Sequence, residues 1–160
     1  MTLEQMSEQQ CHAALERASF GRIGISADDQ AYVIPVYFAY EDGYVYILST
    51  AGQKIECMRR NPKVCIEVDE VADESQWMSV IALGSYQELR EPQFSAERAK
   101  ARKLLQRRPR WWQPAFAERE LKAATELIDP VFFRIHVDSI SGLHAVGEEA
   151  KTESHKEDAA

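Results

Sequence analysis

The stretch AYVIPVYFAYEDGYVYILST, residues 31–50, decides the reading of the fold. Its first half is dense in β-branched and aromatic residues, the composition of a strand on a half-buried surface. Glu41-Asp42-Gly43 follows, and Asp-Gly tolerates the positive φ that a tight hairpin turn demands. Residues 44–48 (YVYIL) are then expected to pair back on the first run. Pro35 interrupts that first run. Proline cannot donate to a ladder, so its strand belongs at a sheet edge or carries a bulge there.

The same grammar extends outward in both directions. Residues 20–26 (FGRIGIS) form a short strand that ends in a turn at Ala27-Asp28-Asp29-Gln30. Further upstream, Leu3, Met6, Cys11, Ala14, Leu15 and Ala18 recur at helical spacing, which predicts a helix over residues 3–18. Downstream, residues 53–60 read as a short helix stopped by Asn61-Pro62. Residues 63–69 and 77–89 read as strands, the second bent or bulged at Gly84. A basic helix capped by Ser95 is expected over 95–108, an irregular Pro- and Trp-rich segment over 109–114, a further helix over 117–127 and a closing strand over 131–140. Hairpin-length connections favour an antiparallel barrel over a parallel doubly wound sheet. The expected architecture is mainly β with flanking helices, as one domain over residues 1–147 followed by a disordered acidic tail over 148–160.

Composition narrows the function classes. The chain has 160 residues, 45% hydrophobic and 28% charged, enough to bury its own core. A net charge of -7 argues against nucleic acid as a partner, since such binding works by neutralising phosphates. No apolar run approaches the ~20 residues of a membrane span, and the N-terminus lacks the pattern of a signal peptide. Cys11, Cys57 and Cys65 form no Cys-x-x-Cys pair, which suits a reducing compartment and a cytoplasmic location. Cys11 and His12 are adjacent and point to different sides of a helix, so they form no dyad. His12, His136, His144 and His155 show no metal-site spacing.

The junction Ser49-Thr50-Ala51-Gly52-Gln53-Lys54 carries the most chemistry. A strand ends there and a helix begins, and the free N–H groups and positive dipole end of a helix N-terminus favour an anion. Ser49 or Thr50 can cap the helix or donate to phosphate oxygens, Gly52 permits close approach, and Lys54 adds a point charge. The same residues also fit an ordinary capped helix with a surface lysine. Tyr32, Tyr37, Phe38, Tyr40, Tyr44, Tyr46 and Trp77 can wall a flat heterocycle or fill a barrel core.

Taken together, Phe20-Gly21-Arg22-Ile23-Gly24, Tyr32 to Tyr40, Gly52-Gln53-Lys54, Asn61-Pro62-Lys63-Val64-Cys65 and Trp77-Met78-Ser79-Val80 to Gly84 resemble the flavin-nucleotide-binding, pyridoxamine-phosphate-oxidase-like family. Within it, the resemblance is to the branch that includes nitroimidazole-resistance reductases. It implies an antiparallel split β-barrel, a homodimer with FMN at the subunit interface, and a small-molecule substrate. It implies that Lys54 contacts the FMN phosphate, with Ser49, Thr50 and Gln53 nearby. Pro35, Val36 and Tyr37 would follow the isoalloxazine or ribityl chain through backbone groups, and Ser79 would approach the ring. Where the vitamin oxidases carry an arginine before the phosphate lysine, this chain has Gln53, and Tyr37 stands where they carry a basic residue. They also end in an arginine-rich motif instead of an acidic tail. Those departures argue against pyridoxamine phosphate oxidation and leave the deazaflavin F420 and haem as alternative ligands.

Arg98, Lys100, Arg102, Lys103, Arg107, Arg108 and Arg110 read mainly as a solvated basic face. Trp111 or Trp112 is the candidate to reach and shield the partner subunit's flavin. The expected activity is an FMN-dependent oxidoreductase that passes electrons from a nicotinamide donor to a small organic acceptor, the cofactor supplying the redox chemistry. The rival readings are a non-catalytic flavin or haem binder and a purely structural dimeric barrel.

Overall fold

The computed structural model describes residues 1–107 and 130–147. In chain order these are β1 (Thr2–Gln5), α1 (Glu8–Arg17), β2 (Phe20–Ala27), β3 (Gln30–Tyr37), β4 (Ala39–Glu41), β5 (Tyr44–Thr50), α2 (Gln53–Arg60), β6 (Lys63–Asp73), β7 (Gln76–Glu88), α3 (Ser95–Gln106) and β8 (Pro130–Val146). The helix expected over 117–127, both Trp111 and Trp112, and the tail over 148–160 lie outside the described residues.

The strands form one antiparallel sheet in the order β3-β2-β6-β7-β8-β5-β4, with β1 added beside β8. The β2–β3 and β4–β5 turns each leave two residues between the strands, with positive φ at both positions: 53° and 62° at Asp28 and Asp29, 51° and 81° at Asp42 and Gly43. That is the turn geometry whose twist matches paired strands.

The run over 31–40 is not one strand. It breaks at Phe38, and only Ala39–Glu41 pairs with β5, while β3 pairs with β2. β5 finds its long partner in β8, from Tyr44 opposite His136 to Thr50 opposite Pro130. The reason is topological. β3 and β4 are the two ends of the sheet and are consecutive in the chain, so the sheet curls until one residue bridges its edges. That residue, Phe38, is fully buried, and its N–H donates to the Ser19 carbonyl at 3.0 Å. The result is an antiparallel split β-barrel, closed covalently at Phe38 where a hydrogen-bonded ladder is lacking. Pro35 lies on the edge strand β3, where its missing N–H costs nothing.

The barrel interior is filled by Ile23, Ile25, Phe38, Val45, Ile66, Val80 and Phe133, with Ile55 and Met58 of α2 and Leu15 of α1 plugging it. On the outer side of β5, Tyr46 packs with Leu89, Ala101 and Phe132 in a second cluster beneath α3. β5 is therefore apolar on both faces from Val45 to Ile47. Gly84 sits where β7 shifts register against β8, and a Cβ there would lie 2.3 Å from the His136 carbonyl oxygen.

The N-terminal helix begins later than its apolar spacing suggests. Ser7 and Gln10 form a reciprocal capping box, with Gln10 N–H to Ser7 Oγ at 3.2 Å and Ser7 N–H to Gln10 Oε1 at 2.7 Å. Residues ahead of the box instead extend β8's partner face as β1, and Leu3 is left 55% exposed. Within α1, Cys11 is buried in the core and His12 turns away to Tyr40, Nδ1 to hydroxyl 2.5 Å. Ser95 is the first residue of α3 and not its cap; its hydroxyl donates back to the Pro92 carbonyl.

An ion cluster fixes α2 to the end of β7. Arg59 clasps Glu88 through two hydrogen bonds, 2.7 and 3.0 Å, and Arg90 adds a third at 3.0 Å. The Arg59 guanidinium, helped by Arg90, holds the Glu88 carboxyl down from an ordinary 4.5 to about 2. A depressed carboxylate stabilises the fold above its unfolded value and loses that contribution as pH falls through the folded value. Stability should therefore drop between pH 4.5 and 2, by on the order of 2 kcal/mol from this cluster once solvent around the arginines is allowed for. Urea midpoints of Glu88→Gln across that range should show a shallower acid limb; a limb parallel to the parent would refute the clamp.

Candidate functional site

β5 ends at Thr50, and α2 begins at Gln53 after two intervening residues. The first intrahelical bond runs from Glu56 N–H to the Gly52 carbonyl at 3.1 Å. The N–H groups of Gln53, Lys54 and Ile55 therefore have no partner within the helix. The cap residue is Gly52, which has no side chain to offer them. Neither Ser49 nor Thr50 caps the helix. Strand alternation turns Ser49 into the barrel wall, where it is buried and its hydroxyl reaches only the Thr50 carbonyl at 3.4 Å. The α2 N-terminus is thus an uncapped positive dipole end.

It opens on a cavity of about 320 Å³ between the β2–β3 hairpin and the β5–α2 junction. Ile25, Tyr32 and Ile34 form one wall; Thr50, Ala51, Gly52, Gln53 and Lys54 form the other, with Cys57 one turn further along α2. Gln53 Nε2 donates to the Tyr32 hydroxyl at 2.9 Å and ties the two walls together. Lys54 is half-buried and has no carboxylate partner among the described residues. A half-buried cation with no counter-ion among the described residues, beside three N–H groups unpaired within the helix, is a candidate site for an oxyanion.

Of the residues singled out in the sequence, the cavity gathers Thr50, Gln53 and Lys54. Pro35, Val36 and Tyr37 continue along β3 beyond Ile34. Val36 points into the core, and Tyr37 packs its ring on Phe20, centroids 5.5 Å apart, where burial raises its hydroxyl's pKa. Ser79 lies in a separate groove of about 670 Å³ with Trp77, Ile81 and Leu143, its hydroxyl 3.4 Å from Glu67. Trp112 lies outside the described residues. Among the aromatic residues, Phe38, Tyr40 and Tyr46 are buried, and Tyr44 lies under Arg134. Tyr32 lines the cavity. Cys57 was legible in principle, because it stands three residues after Lys54 on the same helix face. Ile25 was not, since it reaches the cavity only through the register that sets it opposite Tyr32.

Titration with inorganic phosphate should move the backbone amide resonances of Gln53, Lys54 and Ile55 ahead of all others. Lys54→Met should weaken that response several-fold. Shifts spread evenly over the basic surface would count against an anion site here.

Comparisons with known proteins agree with this architecture. Residues 7–144 match the family described as pyridoxamine 5'-phosphate oxidase. An uncharacterized protein of Rhizobium meliloti is 34% identical over 146 residues, 91% of this chain and 97% of its own. A structure from Mesorhizobium loti, described as a FAD-binding protein, is 34% identical, with a TM-score of 0.73 over 91% of this chain and 99% of that one. The fold also superposes, at 20% identity and a TM-score of 0.65, on a candidate 5-nitroimidazole antibiotic resistance protein of Bacteroides thetaiotaomicron, covering 90% of this chain and 89% of that one. No helix among the described residues is long and apolar enough to cross a membrane.

Proposed function

This chain belongs to the pyridoxamine 5'-phosphate oxidase family, and from that premise we propose that it is a flavoprotein oxidoreductase holding the FMN unit of its cofactor at the α2 N-terminus. The carrying observation is the pairing of three uncapped N–H groups with a lysine that faces no described carboxylate. Lys54 Nζ and the Gln53, Lys54 and Ile55 amides would take the phosphate, with the Thr50 hydroxyl beside them. When bound, the flavin would supply hydride chemistry between a nicotinamide donor and a small organic acceptor. The protein's part is to position and shield it. The free cysteines fit a protein working in the reducing cytoplasm.

Gln53 bears on which family activity applies. It brings no charge, and its amide is committed to Tyr32. The phosphate end therefore has one cation where the vitamin oxidases have two, which supports a reductase over a pyridoxamine phosphate oxidase.

A second copy completes the site in this reading. Across the outer face of the sheet, the register aligns Val33, Gly24, Cys65, Leu83 and Ser139 in one row without a charge. Val33 is 72% and Leu83 53% exposed on it, and Ile81 beside them is 44% exposed. Burying such a face against another copy supports a homodimer. It would bring Pro35, Val36 and Tyr37 of one subunit and Ser79 of the other toward the ring.

The purified protein's absorption spectrum and FMN titration test this directly. We expect flavin bands, reconstitution of the apoprotein by FMN, and NAD(P)H consumption by the holoprotein. Lys54→Met should weaken FMN binding by roughly tenfold, the scale of one charge-assisted hydrogen bond. A deazaflavin band, a Soret band, or an apoprotein that FMN cannot reconstitute would overturn the assignment.

A further inference from the structure

The cavity at Lys54 is spanned by one side-chain hydrogen bond. Strand alternation on β3 sets Tyr32 and Ile34 on the face that lines it, with Tyr32 opposite Ile25 in the β2–β3 ladder. On the other wall, Gln53 is the first residue of α2. Its Nε2 donates to the Tyr32 hydroxyl at 2.9 Å, between residues 21 apart in the chain.

That bond fixes what the hydroxyl can still do. A phenol carries one hydrogen to give and an oxygen that accepts. Here the oxygen accepts from Gln53, so the hydrogen is not spent on this contact. Among the described residues no acceptor is paired with it. The side chain lines the cavity and is 39% exposed, so the hydroxyl is reachable from that space. Accepting from an amide also polarises the phenol and strengthens it as a donor. Its strongest partner is an ionised oxygen, and the wall it faces carries Lys54 and the N–H groups of Gln53, Lys54 and Ile55.

We propose that Tyr32 donates its hydroxyl hydrogen to the phosphate held at Lys54, and that Gln53 is the positioning residue that aims it. The proposal rests on the phosphate reading of the Lys54 cavity and deepens it. α2 supplies the cation and the backbone N–H groups, and β3 supplies a neutral hydroxyl from the opposite wall. Gln53, beside Lys54, acts on the anion through Tyr32. A hydroxyl adds a directed hydrogen bond without adding charge, so the second polar contact selects for the geometry of phosphate oxygens and not for negative charge in general.

The test titrates the full-length apoprotein with inorganic phosphate, followed by amide resonances, and with FMN and riboflavin, followed by flavin fluorescence. Tyr32→Phe, Gln53→Ala and the double variant are compared with the parent. Tyr32→Phe should weaken phosphate and FMN binding by roughly tenfold, the scale of one hydrogen bond to a charged group. Riboflavin, which lacks the phosphate, should bind as it does to the parent. Gln53→Ala should weaken phosphate and FMN by a smaller factor, and should add no further loss once Tyr32 is phenylalanine. Amide spectra that superpose away from the cavity report that each variant is folded. Parent-like phosphate affinity in Tyr32→Phe, losses shared equally by FMN and riboflavin, or additive losses in the double variant overturn the proposal while the Lys54 site stands. A parent that binds neither phosphate nor FMN overturns the proposal and the reading on which it rests.

Discussion

The closure of the sheet at Phe38 is the constraint from which the rest follows. β3 and β4 are the two ends of the strand order and are separated in the chain by that one buried residue. With so short a bridge, the sheet has to curl until its ends nearly meet, and the inner faces of β2, β6, β7, β8 and β5 then surround a common core. The strands cannot close by hydrogen bonds across the split, so a gap persists between β3 and β5. α2 enters beside that gap with Ile55 and Met58 buried in the core and its N-terminus at the surface. The candidate anion site is thus a by-product of how the barrel is plugged.

Much of this could be read along the chain because local rules decide it. Asp-Gly at 42–43 announced its turn, Pro35 announced an edge, Gly84 a register shift, and Asn61-Pro62 the end of α2. Pairing partners were less legible. Nothing near Tyr44 says that its strand will run beside residues 130–136, because that pairing depends on closing a long loop and not on any neighbour in sequence. The N-terminus misled for a related reason. Leu3 and Met6 keep helical spacing with Cys11, but the capping box at Ser7 outweighs spacing, and the residues ahead of it take a place beside β8.

The candidate site shows the same division. Lys54 and Gln53 were visible because a strand-to-helix junction has its own grammar. The fate of Ser49 was not, since only strand alternation decides whether a hydroxyl beside that junction faces the helix or the barrel wall. Arg98 read as one of several surface cations. Its stacking on Phe132 depends on α3 lying across β8, a contact that no spacing rule encodes. Charge pattern alone also missed that Glu88 engages both Arg59 and Arg90.

The two free edges left by the split have a further consequence for how copies of this chain can associate. A bare edge is a template on which another strand can add, and repeated addition builds fibres. Here β3 offers an edge interrupted by Pro35, which lacks the N–H such a ladder would need, and β4 is only three residues long. Growth edge to edge is therefore blocked at both ends. What stays open is the outer face of the sheet, whose row from Val33 to Ser139 carries no charge, and a face used symmetrically by two copies is consumed by them. The geometry that leaves the barrel unclosed thus also steers it toward a finite assembly instead of an endless one.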